Sequence, residues 1–220
     1  MNHTIEINNI CKSFGEKKVL DDINLKIGKG EIFGLLGPSG AGKTTLIKIL
    51  TGQLKAESGT TLINGINSQQ LKGKDFSGFG IMMDNFGVYE RLSCFDNLKI
   101  FARIYKISNE EIHNALEAVG IKSAEKTLAS KHSKGMTSRL HLAKVFMINP
   151  NILFLDEPTS GLDPATADDI QQLILNEKAK GKSIFLTTHN MAEAEKLCDN
   201  IALLNEGKIV EYGSPKEICR

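Results

Sequence analysis

The sequence predicts an α/β fold in which a mainly parallel sheet carries helices on its faces. From about residue 151 onward, strand-like and helical segments alternate: ILFL, a helix from Pro164, SIFLTT, a helix from Met191, IALL, KIVEYG and a short helix from Pro215. Strands that alternate with helices are typical of parallel sheets. An earlier apolar segment, 31–36, leads directly into a glycine-rich stretch and a helical pattern. The chain has 220 residues, of which 41% are hydrophobic, so a sizeable core is available.

The N-terminal part of the chain is predicted to be mostly strand. The expected elements are strands at 5–10, 19–27 and 31–36, a turn at 28–30, a helix containing LIKILTG and a hairpin segment at 58–66. In the second strand, Ile23, Leu25 and Ile27 alternate with polar residues, as a strand with one buried face requires.

The middle of the chain is predicted to be helical. Ser93 is followed three residues later by Asp96, and Ser108 by Glu111, which is the capping-box pattern of a helix start. Apolar residues at helical spacing follow both serines. Because these helices interrupt the alternation of strands and helices, residues of about 86–150 are expected to form an inserted helical lobe.

Composition and charge exclude several classes of protein. Twenty glycines and five prolines are an ordinary proportion, so the chain is neither collagen-like nor of low complexity. The formal charge of +1 gives no support for a nucleic-acid partner. No apolar run approaches the roughly 20 residues that span a bilayer, and MNHTIEINN lacks the pattern of a signal peptide. The four cysteines are widely spaced, so we expect reduced thiols in a chain that lies outside the bilayer.

Residues 37–45, GPSGAGKTT, fit the phosphate-binding pattern G-x-x-x-x-G-K-[ST] between a predicted strand and a predicted helix. Glycines let successive backbone N–H groups converge on phosphate oxygens, and the helix N-terminus favours an anion. Lys43 is expected to reach the β- and γ-phosphates and Thr44 to ligate Mg²⁺. The alternative is an ordinary glycine-rich turn. The candidate nucleotide-contacting residues are Gly37, Pro38, Ser39, Gly40, Ala41, Gly42, Lys43, Thr44 and Thr45.

Two carboxylates follow the buried strand in ILFLDE. Ligands of parallel sheets bind outside the carboxyl ends of the strands, where the phosphate loop is also expected. Neighbouring side chains on a strand point in opposite directions, so Asp156 and Glu157 should have different tasks. We expect Asp156 to hold the metal ion and Glu157 to orient and polarise the attacking water. The alternative is a charged strand end before a turn at Pro158.

These motifs, in this order, resemble those of the ATP-binding cassette (ABC) ATPase family, and the resemblance covers nearly the whole chain. The family signature, usually LSGGQ, corresponds here to HSKGM at 132–136, in which Ser133 and Gly135 match. The resemblance implies that these residues meet the γ-phosphate held by a second copy of the chain, so that two ATP molecules lie between two protomers. From the residues alone, Ser133 precedes a helical pattern, which fits an anion site or an ordinary N-cap.

Three further positions match the family pattern. The sequence SGLD at 160–163 resembles the family's D-loop, and Asp163 before Pro164 also fits a helix N-cap. In TTHN, His189 matches the switch histidine that is expected to hydrogen-bond the γ-phosphate. Phe14 stands where the family has an aromatic residue stacked on adenine, and its alternative is a core position.

One position departs from the family pattern. Family members usually have a glutamine in the loop that enters the helical lobe, and the aligned residue here is Asp84. The resemblance makes Asp84 a candidate Mg²⁺ ligand. If the alignment is shifted by one residue, Asn85 takes the place of the family's glutamine. If the substitution weakens metal positioning, Asp84→Gln should raise turnover at limiting Mg²⁺.

The resemblance implies a P-loop NTPase core with an N-terminal antiparallel β subdomain and an inserted α-helical subdomain, in one domain spanning residues 1–220. It implies an ATP- and Mg²⁺-dependent ATPase that dimerises and drives separate membrane subunits, which dock near residues 84–103 at the cytoplasmic face of the membrane. HSKGM and the stretch NFGVYERLS resemble bacterial exporters of drugs, peptide antibiotics or bacteriocins. The alternatives are an importer ATPase, a regulatory nucleotide-binding protein with little turnover, and an ABC protein that acts on ribosomes or DNA.

Overall fold

A computed structural model describes residues 3–83 and 87–218 of the chain. The strands are β1 His3–Phe14, β2 Lys17–Gly28, β3 Ile32–Leu36, β4 Ser58–Ile63, β5 Ile66–Asn67, β6 Phe79–Met82, β7 Ile152–Asp156, β8 Ser183–Thr188, β9 Asn200–Asn205 and β10 Lys208–Gly213. The α-helices are α1 Lys43–Leu50, α2 Cys94–Tyr105, α3 Asn109–Ala118, α4 Lys134–Phe146, α5 Pro164–Ala179, α6 Met191–Leu197 and α7 Pro215–Ile218. Short 3-10 turns connect several of them.

The described strands form two sheets. The larger has the order β10-β9-β3-β8-β7-β6, in which β9, β3, β8, β7 and β6 are parallel and β10 is antiparallel to β9. This confirms the predicted α/β class and the mainly parallel sheet. The alternation of hydrophobic segments did not predict β6, a four-residue strand at the edge of the sheet.

The smaller sheet is antiparallel, with the order β2-β1-β4-β5. Its first two strands extend at both ends beyond the predicted segments 5–10 and 19–27, and each contains an irregularity within its predicted segment. Asn9 and Asp22 have φ angles of 51° and 55°, and the Asn9 amide donates to the Asp22 carboxylate at 2.7 Å. Asn and Asp tolerate this left-handed conformation, so both strands pass through a bulge at these residues.

Two hydrophobic clusters lie on opposite faces of the larger sheet. Alternate residues of β3 supply them: Phe33 and Leu35 pack towards α1 and the antiparallel sheet, and Ile32 and Leu36 pack towards α2–α6. All four side chains are at most 3% exposed. Because the central strands are parallel, their carboxyl ends lie together at one edge of the sheet, between two layers that contain helices.

Helices α2, α3 and α4 lie in the segment that was predicted to be helical. The capping box at Ser108 forms completely, with Ser108 and Glu111 bonded reciprocally. The prediction of a full box at Ser93 was wrong. There the Asp96 N–H donates to Ser93 Oγ at 3.1 Å, but the Asp96 carboxylate accepts from the Ser93 hydroxyl and not from its backbone N–H. Aspartate is one methylene shorter than the glutamate at Ser108's partner position, which limits its reach.

None of the helices in the described ranges is both long and apolar enough to cross a bilayer. The longest of them, α5, has 16 residues and carries polar side chains throughout.

Candidate nucleotide-binding and catalytic site

The phosphate loop leaves β3 at Leu36 and opens into α1 at Lys43, as predicted. Its glycines are required by close contacts. A Cβ on Gly37 would lie 2.3 Å from the Leu204 carbonyl oxygen, and Gly42 has φ 111° with the Val19 carbonyl oxygen 2.8 Å from an ideal Cβ. No L side chain fits either position without displacing the backbone. The loop therefore presents its backbone to the cleft.

Lys43 lies across the phosphate loop. Its Nζ donates to the Gly37 carbonyl at 2.6 Å and to the Pro38 carbonyl at 3.2 Å, and it forms an ion pair with Glu157 Oε1 at 3.0 Å. Only 5% of the residue is exposed. Because a buried ammonium is costly unless it is paired, these three oxygens fix the cation within the loop.

Asp156 is held between two hydroxyl groups. Thr44 Oγ1 donates to Asp156 Oδ2 at 2.6 Å, and Thr187 Oγ1 donates to Asp156 Oδ1 at 2.5 Å. Asp156 is 4% exposed. The hydroxyl of Thr44 and the carboxylate of Asp156 are adjacent hard oxygen donors, which is the donor chemistry that Mg²⁺ takes from proteins in phosphate sites. Thr187 was not predicted, because its partner is remote in sequence.

Glu157 points away from Asp156 and bridges two other groups. Its Oε2 lies 2.7 Å from His189 Nδ1, while its Oε1 pairs with Lys43. The Glu157 N–H donates to both Thr187 oxygens at 3.1 Å, and φ is 50°. This left-handed conformation is unusual for glutamate and is held by the Thr187 bonds.

A cleft of 410 Å³ collects most of the predicted site residues. Its lining comprises Phe14, Val19, Ser39, Gly40, Gly42, Lys43, Thr44, Thr45, Glu157, Ser160 and His189. Phe14 is 52% exposed at the end of β1, so the alternative of a core position is wrong. Pro38 and Ala41 line an adjoining cleft of 290 Å³ on the other side of the loop.

The predicted residues at the starts of α4 and α5 lie outside the lining of this cleft. Ser133 caps α4 by accepting from the Met136 N–H at 3.2 Å, and Asp163 caps α5 by accepting from the Thr166 N–H at 3.0 Å. Hydrogen bonds from Thr166 hold the pKa of Asp163 below its usual range. A Cβ on Gly135 would lie 2.6 Å from Thr166 Cγ2, so α4 and α5 pack closely where both begin.

Asp84, the remaining candidate metal ligand, lies outside the described residues, as does Asn85. Across residues 3–83 and 87–218, no group of three or more His, Cys, Asp or Glu side chains is placed to hold a metal ion. A metal ion at this site would thus take Thr44 and Asp156 as its ligands among the described side chains, with phosphate and water oxygens completing its shell.

A partly buried hydrogen bond that the sequence did not predict joins the segments that follow Glu157 and His189. Thr159 Oγ1 donates to Glu193 Oε1 at 2.6 Å, and Glu193 is 2% exposed. Thr159 lies two residues after Glu157, and Glu193 lies on α6, which begins just after His189. The bond therefore fixes the spacing between the carboxylate and the histidine. The available signal was a glutamate in the first turn of a predicted helix, which alone indicates a helix start.

A phosphate loop between β3 and α1, an acidic end on β7 and a histidine after β8 define a P-loop nucleotide-binding domain. The sequence family described as ABC transporter matches residues 20–160, and the chain belongs to this family.

Known relatives agree with this family. A fluoroquinolones export ATP-binding protein of Mycobacterium tuberculosis is 42% identical over 192 residues, covering 87% of this chain and 64% of that protein. The lantibiotic transport ATP-binding protein SrtF of Streptococcus pyogenes is 34% identical over 206 residues, covering 94% of this chain and 89% of that protein. The solved structure of cbiO1 from Clostridium perfringens, part of the ABC transporter complex cbiONQ, matches with a TM-score of 0.87 at 27% identity, covering 100% of this chain and 91% of that one. The chain spans less than two thirds of the mycobacterial relative.

Proposed function

We propose that this chain hydrolyses ATP to ADP and phosphate as the energising subunit of an ABC transporter. The observation that carries the proposal is the position of Glu157, whose two carboxylate oxygens contact Lys43 at 3.0 Å and His189 at 2.7 Å in one cleft. One carboxylate thus stands between the cation of the phosphate loop and the histidine of the next strand. This is where a water attacking a γ-phosphate needs a proton acceptor.

Each side chain has a separate task in this proposal. The phosphate loop and Lys43 bind the β- and γ-phosphates through N–H donors and a positive charge. Glu157 orients the attacking water and accepts its proton, and His189 donates a hydrogen bond to the γ-phosphate. Thr44 and Asp156 would hold Mg²⁺, which when bound neutralises charge on the phosphate oxygens.

We propose that two copies of the chain pair around two ATP molecules. Ser133, Gly135 and Asp163 lie outside the cleft of their own chain. Ser133 caps one first-turn N–H of α4, and the other N–H groups of that turn have no acceptor within the helix. A second copy would bring this surface onto the phosphate loop of the first.

We further propose that the chain is a single domain over residues 1–220, with a helical subdomain at about 86–150, and that separate membrane subunits dock near residues 84–103 at the cytoplasmic face. The names of the mycobacterial and streptococcal relatives support export of a drug, peptide antibiotic or bacteriocin. An importer ATPase remains the alternative function.

The experiment that tests the catalytic proposal compares ATP binding with phosphate release in the purified chain and in Glu157→Gln. The variant should keep ATP binding, lose turnover and accumulate an ATP-bound dimer on size-exclusion chromatography. Glu211→Gln, an exposed residue of β10, is the matched control and should hydrolyse normally. Full turnover by Glu157→Gln would contradict the catalytic assignment, and a monomer with ATP bound would contradict the dimer. Co-purification with a membrane protein encoded by a neighbouring gene tests the transporter assignment.

A further inference from the structure

Glu57 binds the last residues of β1 at three points, two through its side chain and one through its backbone. The Ser13 N–H donates to Glu57 Oε1 at 2.9 Å, and the Ser13 hydroxyl donates to Oε2 at 3.1 Å. The Glu57 backbone N–H donates to the Cys11 carbonyl at 2.9 Å. Both carboxylate oxygens of Glu57 thus accept hydrogen bonds from Ser13 of the neighbouring strand.

This contact supports a part of β1 that β4 does not reach. The pairing of β1 with β4 ends at Cys11 opposite Ser58, whereas its pairing with β2 continues to Phe14 opposite Lys17. Beyond Cys11, β2 holds β1 on one side and the Glu57 carboxylate holds it on the other. The carboxylate therefore takes the place of a strand in accepting the Ser13 N–H.

Glu57 is itself connected to the helix of the phosphate loop. The N–H groups of Gln53 and Leu54 donate to the Lys48 carbonyl at 2.8 and 3.0 Å, which fixes the segment that leaves α1. Leu54 packs against the hydrophobic cluster beneath that helix. Because α1 begins at Lys43, a short bonded path joins the phosphate end of the cleft to Glu57.

Phe14, directly after Ser13, forms the other end of the cleft. It lies at the tip of a hairpin whose turn begins at Gly15, with φ 59°, and the residue is 52% exposed. The ammonium of Lys12 lies over the ring at 5.3 Å from its centroid, so one face is covered and one is left for a planar ligand. Because an exposed hairpin tip is mobile unless it is restrained, the Phe14 ring needs a contact that fixes its distance from the phosphate loop.

We propose that Glu57 is a positioning residue that holds the Phe14 ring, through Ser13, at the distance from the phosphate loop at which an adenine base stacks. The inference rests on the proposed function, because it takes ATP as the ligand of the cleft. Glu57 does not touch the nucleotide in this arrangement. Its effect should therefore depend on the base and not on the phosphates.

Isothermal titration calorimetry with ATP and with inorganic triphosphate tests whether the effect of Glu57 depends on the base. Glu57→Ala should raise the Kd for ATP roughly 3- to 10-fold, the effect of losing one net hydrogen bond of ordinary strength. The Kd for inorganic triphosphate, which has no base, should stay unchanged. Glu57→Gln keeps one acceptor oxygen and should recover part of the ATP affinity. Glu16→Ala, which removes a carboxylate from the same hairpin tip, is the matched control and should bind both ligands as the wild type does.

A double-mutant cycle separates positioning from a general loss of stability. In a Phe14→Ala background, Glu57→Ala should have no further effect on ATP affinity, because the ring it positions is gone. Additive losses, or equal losses for ATP and triphosphate, would overturn the inference. So would an ATP Kd in Glu57→Ala equal to that of the wild type. If the wild-type chain binds triphosphate and ATP equally, Phe14 does not read the base and the inference fails, while failure to bind either ligand contradicts the proposed function itself.

Discussion

His189 Nδ1 lies 2.7 Å from Glu157 Oε2, across the carboxyl ends of two adjacent parallel strands. Because an ionised carboxylate can only accept, Nδ1 donates in this contact, and Nε2 donates to a phosphate oxygen when the ring carries both protons. The histidine thus both restrains the carboxylate and offers a ring nitrogen to the cleft that it lines. This arrangement predicts that the two residues act as a unit.

Replacing the histidine should impair turnover more than binding. His189→Ala removes a group that we expect to act on the γ-phosphate during hydrolysis, so kcat should fall roughly 10- to 100-fold with the KM for ATP changed little. Phosphate-release kinetics over a range of ATP concentrations give both constants. His113→Ala, on α3 and outside the cleft, is the control. An increase in KM with unchanged kcat would show that His189 serves substrate binding alone.

Thr187 should affect the metal dependence of hydrolysis. Thr187→Val keeps the shape of the side chain but removes the hydroxyl that donates to Asp156 at 2.5 Å. Asp156 then loses one of its two restraints, and we expect the Mg²⁺ concentration for half-maximal turnover to rise roughly 5-fold. The same change at the exposed Thr60 of β4 is the control. Identical Mg²⁺ titration curves for Thr187→Val and wild type would remove Thr187 from the metal site.

The close contact between α4 and α5 should make Gly135 intolerant of any side chain. In Gly135→Ala, the new Cβ would approach Thr166 Cγ2 to 2.6 Å, and we expect a loss of about 1–3 kcal/mol in the free energy of unfolding. Urea unfolding measures it. Thr166→Ser removes the clashing methyl and keeps the hydroxyl, so the double variant should recover most of the loss. Absence of recovery would show that the cost arises elsewhere.

Burial of His141 should make the fold sensitive to mild acid. Desolvation, with a smaller contribution from Lys144, lowers the pKa of His141 to about 4. The unfolded chain, in which a histidine titrates at about 6.5, therefore binds a proton that the folded chain does not. Stability should fall as pH drops from about 6.5 towards 4, by at most roughly 3 kcal/mol.

Urea unfolding at several pH values measures this slope. His141→Gln should flatten the curve between about pH 6.5 and 4, since the other four histidines are retained. An unchanged slope in the variant would assign the acid sensitivity to other groups.

The sequence predicted those site residues whose position follows from the end of a strand. Asp156 ends β7, His189 follows β8, and Lys43 opens the helix that comes after β3. Parallel strands bring such ends to one edge of the sheet. Thr187 and Glu193 could not be found in this way, because their partners are 31 and 34 residues away and the contacts exist only after folding. The role of Glu57 could not be predicted either, because an exposed glutamate next to a strand is common in any sequence.

Local sequence patterns predicted strand boundaries well where an apolar segment is followed directly by glycine or polar residues. The boundaries of β8 and β10 agree with the expected segments, since each is bounded by glycine or a polar turn. At β1 and β2, the predicted segments 5–10 and 19–27 were too short, because the two strands stay paired as far as Phe14 and Lys17. Register within a sheet is a property of two segments, so one segment cannot reveal it.

The position of β3 in the larger sheet has a consequence for how the protein is made. Its neighbours, β8 and β9, both follow it much later in the chain. During translation, the loop that follows β3 emerges from the ribosome long before the strands that hold it in place. Nucleotide can therefore assist only the late stages of folding, and the nascent N-terminal half has to avoid aggregation without its ligand.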